Sequence, residues 1–109
     1  MCGITGYRSF GADPQAQASR LGAATLTLEH RGPDDSGQWV SDDSRVGFGH
    51  RRLAVVDLSA AGHEPMISAS GRLVVTYNGE IYNHADLRAQ LDAEGRTPDG
   101  ARNLHYWNC

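Results

Sequence analysis

Apolar and polar positions switch between a period of two and a period near four along this chain, predicting strand, helix, several strands, helix. Gly3-Ile4-Thr5-Gly6-Tyr7-Arg8 reads as a short strand broken by glycines. Asp13-Pro14 then opens a helix. Asp13 suits the N-cap, and Pro14 suits the first helical position, where its missing N–H would have had no partner. Leu21, Ala24 and Leu28 follow at helical spacing, which predicts a helix over residues 14–29. His30 to Gly37 is dense in turn residues. Residues 38–41 and 46–50 suit strands around a turn at Ser41–Ser44. Leu53 to Leu58 is an apolar run suited to a buried strand or edge, and Ala60 to Pro65 reads as a loop. Arg72 to Tyr77 is the strongest strand pattern and ends at Asn78-Gly79. Asn83 caps a second helix carrying Leu87 and Leu91, and Gly95 falls where a C-terminal glycine stops it. From Arg96 to Cys109 neither period is present, as at a frayed chain end.

Composition narrows the class. The 109 residues suit one domain, and 39% hydrophobic with 21% charged residues excludes wholesale disorder. The net charge is -3, and the ten Lys+Arg are all arginines that form no basic block, so nucleic acid is not the expected partner. No apolar run approaches the roughly 18 residues of a membrane span, and the first residues lack the basic and apolar regions of a signal peptide. The two cysteines, Cys2 and Cys109, lie at opposite ends; a disulfide between them stays open, but one bridge does not make a secreted scaffold. The expectation is a cytoplasmic protein with free thiols. Thirteen glycines are an excess, which points to tight turns and close backbone approach.

Three places carry candidate chemistry. With Met1 removed, Cys2 would hold a thiol and a free α-amino group on one residue. An amine with a pKa of about 7.7–8.0 can take the thiol proton and return it to a leaving group. Met-Cys alone is more often a cysteine of no role, and position 2 becomes informative only with its partners. Asn78-Gly79 offers a side-chain amide and a backbone N–H, the two donors an oxyanion needs in acyl transfer. Asn-Gly is also the commonest hairpin signal, although the residues after it lead to a helix cap. In Gly49-His50-Arg51-Arg52-Leu53, an arginine at a strand terminus can clamp a carboxylate through two parallel hydrogen bonds, whereas the plainer reading is two solvated arginines on an edge. His30 and His50 read as hydrogen-bonded turn residues. The histidines and cysteines show no metal-ligand spacing, and no phosphate loop is present.

Taken together, these blocks resemble a known family. Met1-Cys2-Gly3-Ile4 with Gly6-Tyr7, then His30-Arg31-Gly32-Pro33-Asp34-Asp35 with Gly37, is similar to the start of a class II glutamine amidotransferase. Gly49 to Ser59, Gly62-His63-Glu64-Pro65-Met66 and Asn78-Gly79-Glu80-Ile81-Tyr82-Asn83 narrow the likeness to the glutaminase domain of glutamine-hydrolysing asparagine synthetase. The resemblance covers residues 1–95, the N-terminal part of that domain. It implies an α+β N-terminal-nucleophile hydrolase fold, an αββα sandwich of antiparallel sheets, here incomplete.

It also implies that Cys2, freed of Met1, attacks the side-chain amide of L-glutamine. By the same carry-over Asn78 and Gly79 form the oxyanion hole. Arg52 holds the substrate α-carboxylate, Leu53, Ala54, Val55 and Val56 line the pocket, and Glu80 contacts the substrate. Ammonia would pass to a C-terminal synthetase domain, where ATP and Mg²⁺ activate aspartate; this chain itself is expected to hold no cofactor. The family's Ser-Asp-Thr-Glu-like motif, whose Asp holds the α-amino group, has no counterpart, and Asp99 does not inherit the role. Residues 96–109 read as an unrelated tail of the kind a frameshift produces. Two other readings stay open: a catalytically silent fragment, and a relative with a different ammonia acceptor.

Overall fold

The computed structural model describes residues 1–55 and 62–96. Its first sheet has three antiparallel strands in the order β1-β3-β2, where β1 is Gly3–Arg8, β2 Asp35–Val40 and β3 Val46–Arg52. The register pairs Gly3 with Arg51 and Arg8 with Val46 on one side of β3, and Asp35 with Arg52 and Val40 with Gly47 on the other. Both outer strands thus pair along their whole length with β3. Helix α1, Pro14–Leu26, lies on one face of this sheet, its Asp13 carboxylate accepting the Ala16 N–H at 3.2 Å and its Pro14 in the first turn. Leu21 and Thr25 are buried, and Thr25 Oγ1 stands against Gly49, where a Cβ would collide with it. The helix is shorter than its spacing suggests. It ends at Leu26, and Glu29–Arg31 tightens into a 3₁₀ turn closed by Arg31 N–H to Leu28 O at 2.9 Å.

The opposite face of the sheet meets the chain from Gly62 onward. At Gly37 of β2 a Cβ would overlap the Glu64 carbonyl oxygen and lie 2.9 Å from His63 Nε2, so the missing side chain is what allows that close approach. Two strands of two residues each, β4 (Met66–Ile67) and β5 (Val74–Val75), then pair antiparallel, Met66 with Val75 and Ile67 with Val74. Helix α2, His84–Ala93, follows Asn83 and ends before Gly95, whose φ of +66° is the left-handed conformation glycine adopts without strain. Asn83 occupies the cap position without a side-chain hydrogen bond.

Several expectations are corrected. Residues 35–37 belong to β2 rather than to the preceding turn, β2 ends at Val40, and β3 runs to Arg52 rather than to residue 50. The apolar run at Leu53 makes no strand over residues 53–55, and Val55 is 66% exposed; the rest of that run, including Val56, lies outside the described residues, as do 97–109. The Arg72–Tyr77 strand shrinks to Val74–Val75, because only Met66–Ile67 is present to pair with it. Asn78-Gly79 forms no hairpin and leads toward α2. His50 and both arginines beside it are buried within β3, so they are neither turn nor edge residues.

Candidate active site

Cys2 precedes β1, the strand at one side of the sheet, and is 1% exposed. The β1–β3 ladder ends at the pair Gly3 and Arg51, and Cys2 and Arg52 are the residues that follow that pair on the two chains. The chain leaving β3 turns its Leu53 N–H onto the sulfur, N to Sγ 3.3 Å. The sulfur is not a free thiol in the structure: Cys2 is disulfide-bonded. From far along the chain, Asn78 Nδ2 donates to the Cys2 carbonyl oxygen at 2.9 Å, across 76 positions of sequence. A cleft of about 330 Å³ opens here, with Cys2, Ile4, Leu28, His30, Arg31 and Asn78 among its lining. His30 Nδ1 is held to Thr27 O at 3.1 Å, fixing one nitrogen of the ring.

The other expected residues fall as follows. Gly79 is half-buried, and the space its side chain would fill is taken by the Tyr77 phenol, whose oxygen lies 2.5 Å from that point. Tyr77 Oη donates on to Glu80 O at 3.4 Å, so the loop carrying Asn78, Gly79 and Glu80 is braced from within. Leu53 and Ala54 are half-buried, and the Ala54 N–H donates to Asp34 Oδ2 at 2.7 Å. Arg52 is 4% exposed, its guanidinium lies along Gly62, and it is not among the residues lining the cleft. The structure therefore gathers Cys2, Leu53 and Asn78, and sets Arg52 beside them on the sheet with its head group in the interior.

The charge of that head group acts on a polar cluster that the sequence pattern does not disclose. His63 Nδ1 meets Asp35 Oδ2 at 2.7 Å, and His50 Nε2 lies 3.7 Å from Glu64 Oε2. Burial raises the Asp35 carboxyl, but the hydrogen bonds from His63 and the Ser36 N–H, with the His63 and Arg52 charges, outweigh it and hold the group below its ordinary value. Glu64 goes the other way. Burial pushes its carboxyl up, against the Tyr77 N–H that donates to it at 2.6 Å and the charge of Arg52. Burial also drives His50 down to about 4, with the Asp35 charge only partly opposing, so its ring is neutral at pH 7. These residues come from three separate stretches of the sequence; the hint was that each stretch, with Asp35, with His50 and with His63 and Glu64, is a block matching the resembled family. Likewise Leu28, His30 and Arg31 were not expected to line the cleft, although two of them open the His-Arg-Gly-Pro-Asp block.

Among the described residues no group of three His, Cys, Asp or Glu is placed to hold a metal ion, and no helix is long and apolar enough to cross a membrane. A family model described as a glutamine amidotransferase domain matches residues 1–102. Asparagine synthetase [glutamine-hydrolyzing] 3 of Bacillus subtilis is 42% identical over 98% of the chain and 18% of that protein. Asparagine synthetase [glutamine-hydrolyzing] 1 of Arabidopsis thaliana is 43% identical over 84% of the chain and 15% of that protein. Amidase chry2 of Gibberella zeae is 36% identical over 86% of the chain and 15% of that protein. The chain thus spans less than a quarter of the length of these curated relatives. No solved structure matches it.

Proposed function

Since the chain belongs to the glutamine amidotransferase family, we propose that it hydrolyses the side-chain amide of L-glutamine through Cys2 and supplies the ammonia for asparagine synthesis from aspartate. In this reading a thiol reductant first opens the Cys2 disulfide, Met1 is removed, and the new α-amino group takes the Cys2 thiol proton. Sulfur forms a bond to the amide carbon, and the oxyanion is met by the Asn78 side-chain N–H and the Gly79 backbone N–H. The amine returns the proton to nitrogen, the C–N bond breaks and ammonia leaves. Water then adds to the thioester, glutamate departs and the thiol is restored. Arg52 holds the α-carboxylate, Leu53 to Val56 line the pocket and Glu80 contacts the substrate. ATP and Mg²⁺ belong to a synthetase domain that activates aspartate; no step here passes through them.

The observation that carries the reading is the meeting of Cys2 with the Leu53 N–H and the Asn78 amide, both brought to one residue from distant parts of the chain. The fold we infer is the incomplete αββα sandwich of N-terminal-nucleophile hydrolases, in antiparallel sheets. It is supported by α1 on one face of the sheet and the Gly62–Tyr77 stretch on the other. The place of action we propose is the cytoplasm.

One observation favours a second reading for the 109-residue chain by itself. Helix α2 buries none of its residues, and Ile4, Ile67, Leu73 and Val75 are all exposed, so the chain alone would be catalytically silent until that apolar surface is covered. The amidase among the relatives leaves room for a different ammonia acceptor. The test is glutamate release from L-glutamine under reducing conditions, with the intact mass measured in parallel. Loss of Met1 and activity abolished by Cys2→Ala are expected. Retained Met1 with undiminished turnover, or turnover that survives Cys2→Ala, would overturn the mechanism; no turnover at all would favour the silent chain.

A further inference from the structure

Gly62 is buried, and it stands where a side chain would strike the guanidinium of Arg52. A Cβ built on it would lie 2.5 Å from Arg52 Cζ and 3.0 Å from Nε, and closer still to Nη2. The head group therefore lies along bare glycine backbone. It cannot simply slide aside, because Arg52 is only 4% exposed and Asp35, His50 and Glu64 all feel its charge. The Arg52 charge is felt by the Asp35 and Glu64 carboxyls, and the bare backbone of Gly62 forms a wall of the space its head group fills. The β1–β3 ladder ends at the pair Gly3 and Arg51, so Cys2 and Arg52 are the residues that follow that pair on the two chains, and Leu53, next to Arg52, gives its N–H to the Cys2 sulfur. Where the guanidinium rests thus decides how far from the sulfur a bound carboxylate can sit.

We propose that Gly62 is a positioning residue whose absent side chain forms the slot seating the Arg52 guanidinium, and that this slot makes the site selective for glutamine with a free α-carboxylate. The inference rests on Arg52 being the carboxylate-holding residue. A methyl group at position 62 would displace the planar fork, and a fork that misses a two-point contact loses most of its preference for carboxylate.

Two measurements test this. The first is modification of Arg52 by an arginine-selective dicarbonyl, read by peptide mass spectrometry on the folded chain, which requires no activity. Arg52 should resist in the parent and react at least about ten-fold faster in Gly62→Ala, as a head group driven from its seat would. Equal rates overturn the proposal whether or not the chain hydrolyses glutamine. The second is steady-state hydrolysis of L-glutamine and of L-glutaminamide, which keeps the side-chain amide and lacks the α-carboxylate. Gly62→Ala should raise KM for glutamine by at least about ten-fold, with kcat and the constants for glutaminamide within about two-fold. In an Arg52→Ala background the same substitution should add nothing. Equal losses on both substrates, or effects of the two substitutions that multiply, refute the slot. A parent that turns over neither substrate refutes the glutaminase reading instead, and the modification rates still decide the role of Gly62.

Discussion

The two halves of this molecule use similar sequence signals to very different effect. In the first, β1, α1, β2 and β3 form a unit: both outer strands pair with β3 along their full length, and α1 buries Leu21 and Thr25 on the sheet. In the second, β4 and β5 pair over two residues and α2 buries nothing, although Leu87 and Leu91 recur on it at helical spacing. Leu73 is 72% exposed. Among the described residues, the contacts that join the second half to the first include polar ones, His63 to Asp35, Asn78 to Cys2, and Glu64 at the sheet face near His50. Amphipathic pattern makes an element, but only a facing surface makes it a core.

The largest way to break this contrast is Leu21→Ala. The side chain is 3% exposed between α1 and the sheet, and its truncation should cost about 2–5 kcal/mol in a urea unfolding experiment. A loss near zero would mean that the first half has no better core than the second.

Acid comes next. His50 sits at about 4 rather than its ordinary 6.5, so between those values the unfolded chain binds a proton that the folded chain refuses. Stability should fall as pH drops from about 6.5 toward 4, by up to about 3 kcal/mol. Glu64 is shifted upward and works in the opposite sense, its contribution fading as pH rises through its folded value. Urea midpoints at successive pH values should show the acid limb flattening in His50→Gln; an unchanged limb would remove His50 as its cause.

Smaller again is Gly37→Ala, which drives a methyl group into the Glu64 carbonyl. It should cost about 1–3 kcal/mol and loosen the second half from the first. Amide exchange at Tyr77, whose N–H bonds Glu64, should quicken while β1 and β3 stay protected. Uniform loss of protection would show that the halves do not separate. Smallest is Leu87→Ala on α2, expected to stay within about 0.5 kcal/mol in the same urea assay. A loss above about 2 kcal/mol would erase the comparison.

What could be read from the sequence follows the same division. The start of α1 was legible because Asp13 and Pro14 act locally, through one hydrogen bond and one fixed φ. The stop at Gly95 was legible for the same kind of reason. The strand expected at Arg72–Tyr77 failed because a ladder is a property of two segments, and the partner supplies only Met66 and Ile67. Within the site, Cys2 and Asn78 were chosen separately, each for its own chemistry, and the structure brings them to 2.9 Å. Arg52 was chosen too, but its burial against Gly62 could not be read, since nothing in a single sequence says which glycine a guanidinium will lie along. The Asp35, His50, His63 and Glu64 cluster was illegible because its members are assembled by tertiary approach rather than by spacing.

The bond from Asn78 to Cys2 has a consequence in time. It closes a loop of 76 positions, among the longest-range contacts described here, and such closures come late because their entropy must be met before they return anything. On the ribosome the gap is literal: at about 5–20 residues per second, roughly 4–15 s separate the emergence of the two residues. During that interval the N-terminus stands exposed to an aminopeptidase while the strand that will bury Cys2 still lacks its loop. Met1 itself is still 69% exposed once that bond has formed, so what closes with Asn78 is the surround of Cys2 and not access to the first residue.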